Sequence, residues 1–176
     1  VEVDERDITG QFVITGSQQF ALNERITQSL AGRSANFTLL PFSIAELSAA
    51  DIAMNRYEWM LKGFYPRIYD KEIDPSRYFR NYLFTYIERD LRQIKNIGNL
   101  SSFQRFMQLL AGRVGQVVNM SSLGNDVGVS YKTIQSWISV LEASYIVYRL
   151  PPYFENFGKR IIKNPKIFFY DTGLLC

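Results

Sequence analysis

The run from Ser121 to Lys166 limits the folds open to this chain more than any other stretch. Ser121 or Ser122 can cap a short helix, Gly128 can end it, and Ser130 can cap the next. On that second helix Ile134, Trp137, Ile138 and Leu141 recur at helical spacing and predict one apolar face. Two runs rich in β-branched and aromatic residues follow, Tyr145–Leu150 and Lys166–Tyr170, with a polar and basic connection between them. Two helices and then two strands joined by a basic loop read as a winged helix.

Upstream, the punctuation is helical. Ser43-Ile-Ala-Glu46 is a capping box, and Phe42 with Leu47 has the spacing of a hydrophobic staple. A second helix is expected from about Asp51 through Met60, closed by Gly63 with Pro66 just beyond. Asp74 caps the next and Pro75 fits its first turn. Tyr78, Phe79, Tyr82, Leu83, Tyr86, Ile87, Leu91 and Ile94 form its apolar stripe, with Asp90 set into that stripe as a carboxylate in need of a partner. A further helix over Ser101–Gly112 presents Phe103, Phe106, Met107 and Leu110. Near the start, Gln11–Thr15 reads as a short buried strand and Asn36–Leu40 as another strand candidate, with a helix expected over Ala21–Leu30 between them. A lone strand-helix-strand cannot cover both faces of its sheet, so partner strands are expected in a longer protein, as are residues beyond Cys176.

Composition removes several chemistries. At 47% hydrophobic and 15% aromatic, the 176 residues hold enough apolar material for a core. There is no histidine, which excludes His-ligated zinc, Ser-His-Asp triads and Cys-His dyads together. The single cysteine, Cys176, forms no internal disulfide and fits a reducing, cytoplasmic compartment. No apolar run approaches the roughly 20 residues of a bilayer crossing, so no membrane role is expected. A net charge of +3 does not by itself require nucleic acid.

Five segments in order carry a resemblance: Phe12–Gln18, Ser29–Arg33, Leu40–Glu46, Tyr86–Asp90 and Lys163–Gly173. Together they resemble the predicted AAA-type P-loop ATPases of bacteria and archaea, in which a domain of unknown function follows the nucleotide-binding core. The resemblance implies an α+β, mostly α chain in three parts. Residues 1–41 would be the end of the AAA-type α/β core, 42–100 a helical lid and 101–176 a winged-helix-like domain. It implies further that Thr15 and Ser17 resemble sensor 1, which orients the attacking water or the γ-phosphate. Arg33 resembles an arginine finger acting in a neighbouring subunit, and Gly63 and Pro66 a lid turn approaching the nucleotide base. A nuclease-like domain is expected after the Asp171-Thr-Gly173 turn.

Two departures accompany it. No Gly-x-x-x-x-Gly-Lys-Ser/Thr loop and no strand ending in paired acids occurs here, so ATP and Mg²⁺ belong to the full-length parent and no cofactor is expected on this stretch. The stretch itself is then not catalytic. Each motif also has a plainer reading: Thr15-Gly-Ser17 as a strand exit, Arg33 as a solvated arginine, and Lys159, Arg160 and Lys163 as a solvated loop rather than a wing on phosphates. On the second helix of the helix-turn-helix only Lys132 and Gln135 suit base edges. Duplex DNA, a protein partner and a second copy of the chain all stay open as partners. A DNA-binding module with no ATPase role, or a protein-interaction module, is the alternative to the ATPase reading.

Overall fold

Local capping sets the helix boundaries in the computed structural model, which describes residues 10, 12–16, 34–86, 100–153, 155 and 164–176. The chain divides into two units, Val1–Asn36 and Phe37–Cys176. In the first unit, residues 12–16 adopt no regular element, and Phe12, Val13 and Ile14 are exposed. The expected helix over Ala21–Leu30 lies outside the described residues.

The second unit begins with irregular chain over 37–40, where Phe37 and Leu39 are 90% and 98% exposed. Of the strands expected at Gln11–Thr15 and Asn36–Leu40, the described residues 12–15 and 36–40 form none. A strand exists only against a ladder partner, and among the described residues none pairs with either segment.

The capping box at Ser43 is present. Glu46 Oε2 accepts the Ser43 N–H at 2.7 Å while Ser43 Oγ accepts the Glu46 N–H, opening α1, Ile44–Ala49. Leu47 is the residue α1 buries. The next helix, α2, is Arg56–Lys62 and starts later than its periodicity predicts. Asp51 holds a left-handed φ of 57°, which breaks the chain there, and Asn55 with Glu58 forms a second capping box. Gly63 ends α2, as expected, and Pro66–Asp70 forms the short α3. Asp74 Oδ1 accepts the Arg77 N–H and so opens α4, Pro75–Tyr86, with Phe79 buried and Arg77 and Asn81 exposed on the opposite side. Ile87, Asp90, Leu91 and Ile94 lie outside the described residues.

Three helices and two strands follow in sequence order. α5 is Leu100–Ala111, α6 Met120–Val127 and α7 Tyr131–Ala143. Phe103 and Phe106 of α5 close on Trp137 of α7 at ring-centroid distances of 5.1 and 5.2 Å. Leu110, Leu123, Ile134, Ile138 and Leu141 complete this fully buried cluster. Each such side chain contributes about 1.5–3 kcal/mol by leaving water. β1, Val147–Leu150, pairs antiparallel with β2, Lys166–Phe169, and Val117 adds a single bridge to Lys166 on the far side of β2. A 3-10 turn, Thr172–Leu174, ends the chain against α2 and α4. The architecture is α+β and mostly α, and among the described residues no helix is long and apolar enough to cross a membrane.

The cap of α6 is Asn119, whose side chain accepts the Ser122 N–H, rather than Ser121 or Ser122. Gly124 carries a second correction. Its sequence position predicts only a helix weakened by roughly 1 kcal/mol. In the fold it is buried, and a Cβ there would stand 2.8 Å from the Val129 carbonyl oxygen and 3.6 Å from Ile134. The glycine lets the turn fold tightly across α6 onto α7. Gly124→Ala gains helix propensity but meets backbone that cannot swing aside, so a net loss of about 1 kcal/mol is expected in urea unfolding. A gain in stability would show that the turn has room to spare.

Candidate functional site

A carboxylate inside a protein needs donors, and Asp171, with no exposed surface, has collected them from two distant parts of the chain. Its Oδ2 accepts the Phe64 N–H at 2.6 Å and its Oδ1 accepts the Gly173 N–H at 2.7 Å, with the Leu174 amide as a third donor. Burial pushes the carboxyl above its ordinary range, and the three amides pull the other way without cancelling it.

Two glycines make this approach possible. A Cβ on Gly63 would lie 2.4 Å from Asp171 Oδ1 and 2.6 Å from Phe79 Cζ, and one on Gly173 would lie 2.1 Å from Phe79 Cε2. Gly63 also holds φ 66° and ψ −163°, a region that side chains essentially do not enter. Around them Tyr65 sets its ring against Phe79, Tyr78 and Tyr82, while Trp59 packs on Phe64. Burial, and then Tyr82 beside it, raise the Tyr65 hydroxyl far above its ordinary value, so it stays protonated. The Tyr69 hydroxyl donates to the Gly63 carbonyl at 2.6 Å, and the Thr172 hydroxyl reaches the Trp59 carbonyl. The corner between α2 and α3 is thus stitched to the last turn of the chain.

This arrangement holds geometry rather than transferring protons. The lone pairs of Asp171 are committed to amides, and the Gly63 N–H is spent on the Trp59 carbonyl. Among the described residues no group of three acids or cysteines could hold a metal ion.

The residues singled out by sequence fall in separate places. Gly63 is buried in the Asp171 corner, and Pro66 is exposed at the start of α3. Lys132 and Gln135 are both exposed on α7, beside Tyr131 and Ser139. Thr15 is exposed in the first unit. Ser17, Arg33, Lys159, Arg160 and Lys163 lie outside the described residues. The sequence reading missed Asp171 as a buried hub, although it noted the Asp-Thr-Gly turn. An aspartate two residues before a glycine, straight after a buried strand, was the available signal.

Residues 2–48 match the family described as "AAA domain", and residues 54–176 match the family described as "Domain of unknown function (DUF8612)". Uncharacterized proteins of Mycobacterium tuberculosis and Mycobacterium bovis are each 30% identical over 176 residues, covering 99% of this chain and 39% of their own length. An uncharacterized protein of Haemophilus influenzae is 25% identical over 177 residues, covering 92% of this chain and 44% of its own. The chain therefore spans about two-fifths of the length of the curated relatives it matches. No solved structure matches it. The second match spans the larger part of the sequence and includes every residue of the Asp171 corner, so this chain belongs to the DUF8612 family, with an AAA-domain stretch ahead of it.

Proposed function

We propose that this chain is the lid and winged-helix portion of an AAA-type ATPase, carrying nucleotide state from the core of a longer cytoplasmic protein to a nucleic-acid or protein partner. The observation that carries the reading is the Asp171 corner. One buried carboxylate ties the helices before residue 100 to the strand-ended segment after it, so a displacement of the first is felt by the second. The AAA-domain match directly upstream supplies the reason to connect that corner to a nucleotide site. ATP and Mg²⁺ would be held by residues this sequence does not contain. Thr15, Ser17 and Arg33 would face that site, the turn from Gly63 to Pro66 would lie on the path out of it, and a second copy would receive Arg33.

The experiment uses the full-length parent. ATP is expected to raise hydrogen-exchange protection at the Phe64 and Gly173 amides together, and Arg33→Ala to lower ATP turnover at least tenfold. Turnover unchanged in Arg33→Ala removes the arginine from the mechanism, and amides that respond separately break the proposed coupling. The exposure of Lys132 and Gln135 on α7 favours a second reading, a duplex-DNA module that works without nucleotide. Duplex binding that ignores ATP and is lost on Lys132→Ala would select it.

A further inference from the structure

The two strands place Tyr148 opposite Phe168 and Leu150 opposite Lys166. Opposed residues, and those two apart along a strand, share a face. One face therefore holds Val147, Arg149, Ile167 and Phe169. Three of these are buried, and Arg149 forks onto the Glu142 carboxylate of α7, with its Nε 2.6 Å from Oε1. That face packs on the core at its three apolar positions. The other holds Tyr148, Leu150 and Lys166, which are exposed, and Phe168 and Tyr170, which are half-buried. Tyr148 and Leu150 are 37% and 48% exposed, and Lys166 is exposed.

The rings on this open face form a row. Tyr148 stacks on Phe168 at 5.6 Å with an 18° interplanar angle, Tyr170 lies 5.1 Å from Tyr148, and Tyr145 lies 5.9 Å from Tyr170. The charge on the face is that of Lys166. Lys166 stands on the face itself, and the connection that leaves Leu150 and re-enters at Lys166 carries Lys159, Arg160 and Lys163 against Glu155 in its sequence. Glu142 is paired with Arg149 on the opposite face, and Asp171 is buried in the interior.

We propose that this aromatic face is a stacking platform for single-stranded nucleic acid, with Tyr148 as the leading ring and Lys166 at the phosphate edge. Bases offer π-faces to the rings whatever their identity, at about 1–3 kcal/mol per base, and Lys166 meets the backbone phosphates. A duplex hides its base faces inside the helix and would gain only the phosphate contacts. The inference rests on the nucleic-acid branch of the reading above, but it needs no nucleotide and places the contact on the sheet instead of on α7.

The test is fluorescence anisotropy of the whole chain with a labelled oligothymidylate of about 12 nucleotides, a length in the range of single-strand platforms. The expected result is binding at low salt that weakens as salt rises, with quenching of tyrosine emission. Tyr148→Ala should weaken it about tenfold and Tyr148→Phe by less than about twofold, the two circular dichroism spectra matching wild type. Lys132→Ala with Gln135→Ala should change nothing. Absence of binding at about 50 mM salt, wild-type affinity in Tyr148→Ala, or equal affinity for the matching duplex would each overturn the proposal. The amide-protection experiment on the parent protein reads a different event, so either idea can fail alone.

Discussion

Gly63→Ala is expected to destabilise the Phe37–Cys176 unit by about 4 kcal/mol, combining strain and overlap of about 1–3 kcal/mol each. The strain comes from φ 66° with ψ −163°, and the overlap from Asp171 Oδ1 at 2.4 Å and Phe79 Cζ at 2.6 Å. Neither neighbour can retreat. Asp171 is held by its amides, and the Phe79 ring is flanked by Tyr65 and Tyr78. Two companion variants separate the causes. Gly128 holds φ 85°, and a methyl added there would meet nothing within 4 Å, so Gly128→Ala reports backbone strain alone, about 1 kcal/mol. For Gly173 no left-handed φ is involved, so Gly173→Ala reports overlap with Phe79 alone. Urea midpoints at constant slope give all three values. If Gly63→Ala costs no more than Gly128→Ala, the corner is loose and Asp171 does not clamp it. Against a typical total of roughly 5–15 kcal/mol, the expected loss is large enough to raise the unfolded population visibly at 37 °C.

What could be read from sequence was whatever a short window decides. Ser43 with Glu46, Asp74 with Pro75, Gly128 and Ser130 each act within four residues, and all four appear where expected. The stripes Phe103, Phe106, Leu110 and Ile134, Trp137, Ile138, Leu141 were legible because helical period and burial agree. Asn55 was missed although its signal is equally local. The apolar spacing upstream invited a longer helix, which the left-handed Asp51 and the extended Asn55 cap exclude. The strands expected at Gln11–Thr15 and Asn36–Leu40 fail for another reason: their composition suits a sheet, and composition does not supply a ladder partner.

The Asp171 corner was opaque for a third reason. Phe64 and Asp171 are 107 residues apart, and no periodicity links a glycine that ends a helix to an aspartate that caps the turn after a strand. Gly63 was correctly read as a helix terminator, yet what it permits is close approach by a carboxylate from the far end of the chain. The functional reading depends on that non-local contact. With it the helical corner and the strand-ended segment share a buried carboxylate, beside the Thr172–Trp59 hydrogen bond and the packing of Gly173 on Phe79.

Asp171→Asn tests whether that contact depends on charge. An amide side chain turns an NH₂ group toward backbone N–H donors and leaves at least one of them unpaired, so a loss of about 2–3 kcal/mol is expected at neutral pH. The pH dependence is the sharper readout. Burial holds the folded carboxyl above the 3.8 of a free aspartate. A group raised in this way contributes stability that is complete below its unfolded pKa and is lost as pH rises through its folded one. Wild type minus Asp171→Asn should therefore be largest near pH 4 and shrink above it, levelling off once the buried carboxyl has ionised. Taking the difference cancels the other carboxylates, including Glu46, whose hydrogen bonds from Ser43 lower its pKa and give it the opposite slope. A difference that grows with rising pH would mean that the three amides outweigh burial and that the clamp is strongest when charged. Urea unfolding of both proteins from pH 4 to pH 7.5 decides between these signs, and with them whether ionisation loosens or tightens the joint on which the proposed coupling depends.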